Sequence, residues 1–483
     1  MLSILETLTQ ALELQQAGRF QEAETIYGQI LAGDPANADA LHLLGVLSSE
    51  TGRHELAAAC IGRAITLNPA PPFYHNNLGN VLHEQGRFAD ALLCYEEALR
   101  RDPCYAEAHN NLANSLCQLD RFPEALPHYL EAVRLKPDYA EAYNSFAVAL
   151  RDQGLLSEAL GCYEEALRLA PENADAHAGR AILWLLLGDF ERGWPEYEWR
   201  WKAKGFPRRR FQQPLWDGTL EPGPRILLDA EQGLGDTIQF LRYVPLVKQR
   251  GATVLVECQP RLVPLVETVE EIDQVIAAGS PLPAFDAHLP FLSLPGVFHT
   301  TLETVPNRVP YLGVPQAKQE SWRRRVGAGG LKKVGIVWAG SPTHKKDRER
   351  SLSLSDFGPL SGVPGIRLFS LQKVTGEREV LSGAAGLEIE DLEAGADEIT
   401  DTAAAIQSLD LVIAADTMVA HLAGALGAPV WTLLPYAADW RWLVGREDSP
   451  WYPTMRLFRQ PSPGNWQPVM ESVVEALRDA HPS

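Results

Sequence analysis

GRFADALLCYEEALRRDP, residues 86–103, returns with little change as GLLSEALGCYEEALRLAP at residues 154–171. The other copies are present at the same spacing. Pro35, Pro69, Pro103, Pro137 and Pro171 stand 34 residues apart, as do Ala23, Ala57, Ala91, Ala125 and Ala159. Tyr27, Tyr95, Tyr129 and Tyr163 keep the same register, with Ile61 in the remaining place. Gly18, Gly52, Gly86, Gly154 and Gly188 mark one turn of each unit, and Asp120 stands in once. A fixed period of this length predicts stacked helix pairs that bury their faces against neighbouring copies. Alanine at the crossing lets two helices approach and the aromatic ring fills the gap beside it. Glycine permits the tight turn, and proline ends the second helix.

Period and residues together resemble the tetratricopeptide repeat. Five units run from about residue 4 to residue 173. A sixth, degenerate unit keeps Ala181, Gly188 and Tyr197 but carries Gly193 at the crossing, and its tail, GWPEYEWRWK, is rich in tryptophan. It reads as a cap, so the solenoid is expected over residues 4–207. The first helices read HNNLGN, HNNLAN and YNSFAV. Asn76, Asn80, Asn110, Asn114 and Asn144 are expected on the concave surface, where side-chain amides would hold the backbone of a protein or peptide partner.

A formal net charge of -19, most of it in the front half, argues against nucleic acid and anionic membrane surfaces as partners. Six cysteines include no C-x-x-C pair, and Cys60, Cys94 and Cys162 occupy one repeat position, so they read as packing residues of a reduced, cytoplasmic protein. The first residues, MLSILETLTQALELQQAG, lack the basic start of a signal peptide. The longest apolar stretch is interrupted by Asp410, Asp416, His421 and Pro429, so no membrane span is expected.

Residues 208–223, with the triplet Arg208, Arg209 and Arg210, read as a linker or strap. Beyond it the period changes. RILLDA, ATVLVEC, VGIVWAG, IRLFSLQ, LDLVIAA and APVWTLL alternate with segments of helical spacing, which predicts parallel sheets flanked by helices. The pattern pauses near residues 300–331, so two α/β domains are expected, at 224–331 and 332–483.

Ligands of such sheets bind beyond the carboxyl ends of the strands. The loops there are EQGLGD (231–236), AGSPTHKKDRERS (339–351), QKVTGERE (372–379) and ADTMVAH (415–421). Asp236, after Gly233 and Gly235, is a candidate base, metal ligand or helix N-cap. Asp416 and Thr417 open a helix whose first amides suit a phosphate, or Asp416 is a plain cap. His421 is either part of that site or a core histidine. No D-x-D pair and no metal-ligand spacing occurs in the sequence. A departing diphosphate would therefore rest on side-chain cations, of which Lys345, Lys346, Arg348 and Arg350 are the nearest set.

GLGDTIQFLRYVP, VGIVWAG followed by HKKDRERSL, and DTMVAHLAGALGAPVWTLLP are similar to the family 9, heptosyltransferase-like glycosyltransferases. The resemblance implies an all-α solenoid followed by a GT-B fold of two Rossmann-like domains. The first would be the acceptor side, and the second would bind a nucleotide diphosphate sugar. The implied enzyme inverts configuration without a metal or cofactor. By position, Asp236 would be the general base and Arg350 the cation on the donor diphosphate, where the family has lysine. Gly233, Gly235, Asp416, Thr417 and His421 would surround the donor, although Met418 replaces a family glycine. Gln372, Lys373 and Glu377 would face the nucleoside. A groove for protein fused to a sugar-nucleotide cleft suggests serine or threonine acceptors, flagellin or another surface protein among them. The competing readings are a lipopolysaccharide or exopolysaccharide transferase recruited by its repeats, and a repeat scaffold with an inactive transferase domain. Toward the end, Trp440, Trp442 and Trp451 read as packing or as rings that stack on a sugar or close the cleft, Asp439 and Arg446 as an ion pair, and WQPVMESVVEALRDA as an amphipathic helix lying across the first sheet.

Overall fold

The computed structural model describes residues 3–203, 205, 209, 211–219, 223–344, 346–373 and 386–479. Arg208, Arg210, Lys345 and Glu377 lie outside the described residues. The chain forms two compact units, Met1–Ala176 and His177–Ser483.

In the first unit the period of the sequence becomes the period of the elements. The first helices of the five pairs are Ile4–Gln16, Ala38–Glu50, Pro72–Glu84, Ala106–Gln118 and Ala140–Asp152. Their partners are Phe20–Gly33, His54–Leu67, Phe88–Arg101, Phe122–Leu135 and Leu156–Leu169. The turn glycines take positive φ, between 73° and 81° at Gly18, Gly52, Gly86, Gly154 and Gly188, and Asp120 adopts the same region at 60°. The crossing alanines are completely buried, with Tyr27, Ile61, Tyr95, Tyr129 and Tyr163 beside them. The tyrosines also reach back to the preceding helix. Tyr95 donates its hydroxyl to Asn80 at 2.9 Å and Tyr129 donates to Asn114 at 2.8 Å.

The second unit begins within the helix Ala174–Leu186 and includes the short helix Phe190–Tyr197. The degenerate pair expected to close the solenoid at 207 is thus compacted with the α/β part. Its large side chains explain this. Trp194 meets the rings of Trp440 and Trp451, its indole N–H donates to the Thr300 carbonyl at 3.1 Å, and Arg200 is fully buried against Glu231.

Two parallel sheets follow. In the first, β1 (Arg225–Asp229), β2 (Thr253–Cys258), β3 (Gln274–Ala277) and β4 (Ala287–Pro290) lie in the order β3-β2-β1-β4. In the second, β5 (Lys332–Val337), β6 (Ile366–Ser370), β7 (Ile389–Asp391), β8 (Leu411–Ala415), β9 (Val430–Leu434) and β10 (Met455–Arg459) lie in the order β10-β9-β8-β5-β6-β7. Strand order reverses between β1 and β4 and between β5 and β8, which are the places where sheets of this kind leave a crevice. Part of the strap pairs with the first sheet. Residues 214–216 run beside β4, with the His288 N–H donating to Pro214 at 3.1 Å and the Trp216 N–H donating to His288 at 2.9 Å. The last helix, Gln467–Asp479, packs Val469, Met470, Val473 and Leu477 into the core of the six-stranded sheet. The expectation that it crosses the first sheet is thereby corrected: its apolar stripe fills the face that Val334, Ile336 and Ile413 leave open.

Candidate functional site

β1 ends at Asp229, and the chain turns through EQGLG into the helix Leu234–Phe240. Gly233 is the extended N-cap, and its amide donates to Asp236 Oδ2 at 2.8 Å, so the carboxylate does cap its own helix. The other oxygen, Oδ1, accepts from Arg441 Nη2. Gly235 allows a close approach. A Cβ there would lie 2.8 Å from His421 Cδ2, on the helix Met418–Ala425 of the second sheet. The two candidate helices therefore touch.

Arg441 sits in the loop after β9 and is almost fully buried. Besides Asp236, it donates from Nη1 to Asp439 at 2.7 Å and from Nε to Gln239 at 2.8 Å, with its guanidinium 4.3 Å from the Trp440 ring centre. Burial pushes the Asp236 carboxyl up, Arg441 pulls it back and Asp439 pushes it up again, leaving it above the ordinary aspartate value. His421 is held down to about 3 by burial and by Arg441, so it is neutral at pH 7. It bonds Tyr452 through Nδ1 at 3.0 Å and stacks on Trp442 at 5.1 Å. His421 is thus a packed residue beside the Asp236 helix.

At the crevice of the second sheet, Arg350 Nη1 donates to the Asp416 carbonyl at 3.1 Å, spanning the loops after β5 and β8. A Cβ on Gly340 would fall 2.5 Å from Arg350 Nη2, so glycine leaves the arginine its place where the loop folds back. Thr417 is the extended N-cap of the Met418–Ala425 helix but makes no side-chain capping bond, and its buried hydroxyl has no partner. Those free donors and the arginine could hold an anion. Met418 fits as the first helical residue. The Asp416 carboxyl is pushed up to about 6, first by burial and then by Asp439.

Gln372 accepts from the amides of Trp338 and Ala339 at 3.1 and 2.9 Å and donates to the Ala339 carbonyl at 3.1 Å, so its amide braces the strand end. Lys373 is exposed beside it. Lys346 faces Glu349 at 3.9 Å. Asp439 pairs with Arg441, while Arg446 pairs with Asp448 at 2.6 Å, which corrects the Asp439 to Arg446 pairing. Trp440, Trp442 and Trp451 are buried, which agrees with the packing alternative. Among the described residues no group of three or more His, Cys, Asp or Glu side chains is gathered as a metal site.

In the first unit the asparagines bond one another. Asn111 Nδ2 donates to Asn76 Oδ1 at 3.1 Å and to Asn80 Oδ1 at 3.0 Å, and Asn77 meets His42 Nε2 at 2.9 Å. Asn76 and Asn110 are buried, Asn80, Asn114 and Asn144 half-buried. Asn76 and Asn80, two of the five amides expected to face a peptide, thus join a ladder of bonds that runs across the second, third and fourth pairs, whereas Asn114 accepts from Tyr129 of its own pair.

Sequence reading missed Arg441, Gln239 and Arg242. Arg242 is buried, donating to Gln239 at 2.7 Å, to Tyr311 at 3.0 Å and to the Trp451 carbonyl. It missed Arg200 as well, which grips Glu231 at 3.0 and 3.1 Å and Ser293 at 2.8 Å. The one available signal was an arginine between aromatic residues, in WRW at 199–201 and again at 440–442.

Models of the tetratricopeptide repeat match residues 14–76, 76–140 and 145–197. The first unit is a tetratricopeptide-repeat solenoid. Two solved structures are similar to part of the chain. A Thermus thermophilus protein, TTC0263, is 24% identical over 38% of this chain and 98% of its own, with a TM-score of 0.35. Pseudomonas aeruginosa pilF is 22% identical over 41% of this chain and 89% of its own, with a TM-score of 0.36. Protein FlbA of Caulobacter vibrioides is 31% identical over 334 residues, 62% of this chain and 54% of FlbA. The share of this chain exceeds what the repeats alone supply, and the chain spans about half the length of that relative.

Proposed function

We propose that the second unit is a metal-independent, inverting glycosyltransferase of GT-B type, and that the repeats present a protein whose serine or threonine hydroxyl is the acceptor. The observation that carries this reading is the meeting of crevice loops from both sheets. Asp236 comes from the first, and Arg350, Asp416 and the Thr417 helix start come from the second. In the reaction the acceptor oxygen bonds to the anomeric carbon and gives its proton to Asp236. The bond from that carbon to the diphosphate oxygen breaks, and the charge leaves on the diphosphate. Arg350 and the helix start would stabilise it there. Burial favours this role for Asp236, because a carboxyl raised above its ordinary value is a stronger base.

The test is a panel of nucleotide diphosphate sugars, followed by thermal stabilisation and slow hydrolysis, on the native chain, Asp236→Ala and Arg350→Ala. One donor should stabilise the protein. Asp236→Ala should keep that binding and lose turnover by about 100- to 10,000-fold, whereas Arg350→Ala should weaken both. A chain that responds to no donor is the repeat scaffold instead, a reading favoured by the fact that both Asp236 oxygens already have protein partners.

A further inference from the structure

We infer that Arg441 is the positioning residue of this transfer: its guanidinium, carried on the loop after β9, aligns the Asp236 carboxylate when the crevice loops of the two sheets are together. The inference rests on the glycosyltransferase reading.

Three different nitrogens of Arg441 serve three acceptors, Asp236, Asp439 and Gln239, and the ring of Trp440 lies under the guanidinium. Asp236 and Gln239 are three residues apart, on one face of the Leu234–Phe240 helix, so a planar fork can address both at once. A lysine could reach one of them. The contact joins residues 205 apart in the chain and belongs to different sheets, so it exists only while the loop after β9 lies against that helix. Gly235 and His421 touch beside it, which keeps the approach close. Among the described residues, the charged and titratable groups that face Asp236 are Arg441 and Asp439 from the loop after β9 and His344 from the loop after β5. Arg441 favours the carboxylate form of Asp236, and Asp439 disfavours it.

The experiment measures hydrolysis of UDP-N-acetylglucosamine, GDP-mannose and an ADP-heptose by the full chain. Water then takes the acceptor's place, and whichever donor turns over is followed against pH. Arg441→Gln should lower kcat by about 100-fold, the size of loss that a misplacement of about 1 Å produces, with KM within about threefold. The rise of activity with pH should move to higher pH in Arg441→Gln and to lower pH in Asp439→Asn. Arg441→Lys should return the pH profile toward that of the native chain while leaving most of the loss in kcat. Melting curves check that each variant folds, and if Arg441→Gln does not, the other two carry the test. Variants that change KM or melting temperature but leave the pH profile in place overturn the inference while the transferase reading stands. Native turnover equal to that of Asp236→Ala overturns the transferase reading, and this inference with it.

Discussion

The hydroxyl of Tyr163 is buried without a hydrogen-bond partner, because Val148 stands where Asn80 and Asn114 serve the earlier tyrosines. Asn110 Oδ1 is stranded for a related reason. Asn111 donates to Asn76 one repeat earlier, and Ser145, the residue in the next register, is too short to do the same for Asn110. Ser145→Asn should therefore extend the ladder and stabilise the solenoid by about 1 kcal/mol, read as a higher denaturation midpoint. Asp416 gives a second expectation at this scale. Its carboxyl is raised from 3.8 to about 6 in the folded chain, so the folded state binds the proton more tightly than the unfolded one. The stability this group contributes is complete below about pH 4 and lost as pH rises through about 6. Asp416→Asn should accordingly show a stability advantage over the native chain that grows across that window and levels off above it, at about 1–3 kcal/mol. The alanines and tyrosines were legible from the sequence because each position repeats. Arg441 was not, because its meaning depends on Asp236, far away in the chain.

Six strands of the two sheets lie where alternating apolar runs place them, while β3, β4, β7 and β10 were not recognised. β3, β4 and β7 have four residues or fewer, and β4, AHLP, combines a histidine and a proline. β10, MRLFR, is longer but carries two arginines among its apolar residues, which masks its buried positions. Partnership inside a sheet overrides such weak local patterns. Helix contacts depend on residues that cannot grow. Gly424 faces the ring of Tyr452, whose hydroxyl holds His421, so Gly424→Ala should cost about 1–3 kcal/mol by overpacking. Urea unfolding measures that loss, and a falling donor affinity in the same variant would place the Met418–Ala425 helix at the site.

The two compact units divide within the sixth helix pair, although repeat spacing continues to Tyr197. Periodicity locates repeats, but it does not report which core a repeat joins. Here Trp194, Tyr197 and Arg200 contact residues of the α/β part. A fragment starting at Pro171 should be folded, with the same melting transition as the second unit of the full chain. A fragment starting at Arg208 should be destabilised by more than about 3 kcal/mol, since it leaves Glu231 as a buried carboxylate without its arginine. Circular dichroism melts of the two fragments compare them directly.

The uniform helix lengths of the first five pairs have a consequence for how such a chain can change. Each pair is a 34-residue module whose ends fall at equivalent places, so one can be gained, lost or exchanged in register within the first unit. A library that shuffles these modules could alter what the solenoid recognises while every helix pair keeps its length and its turn.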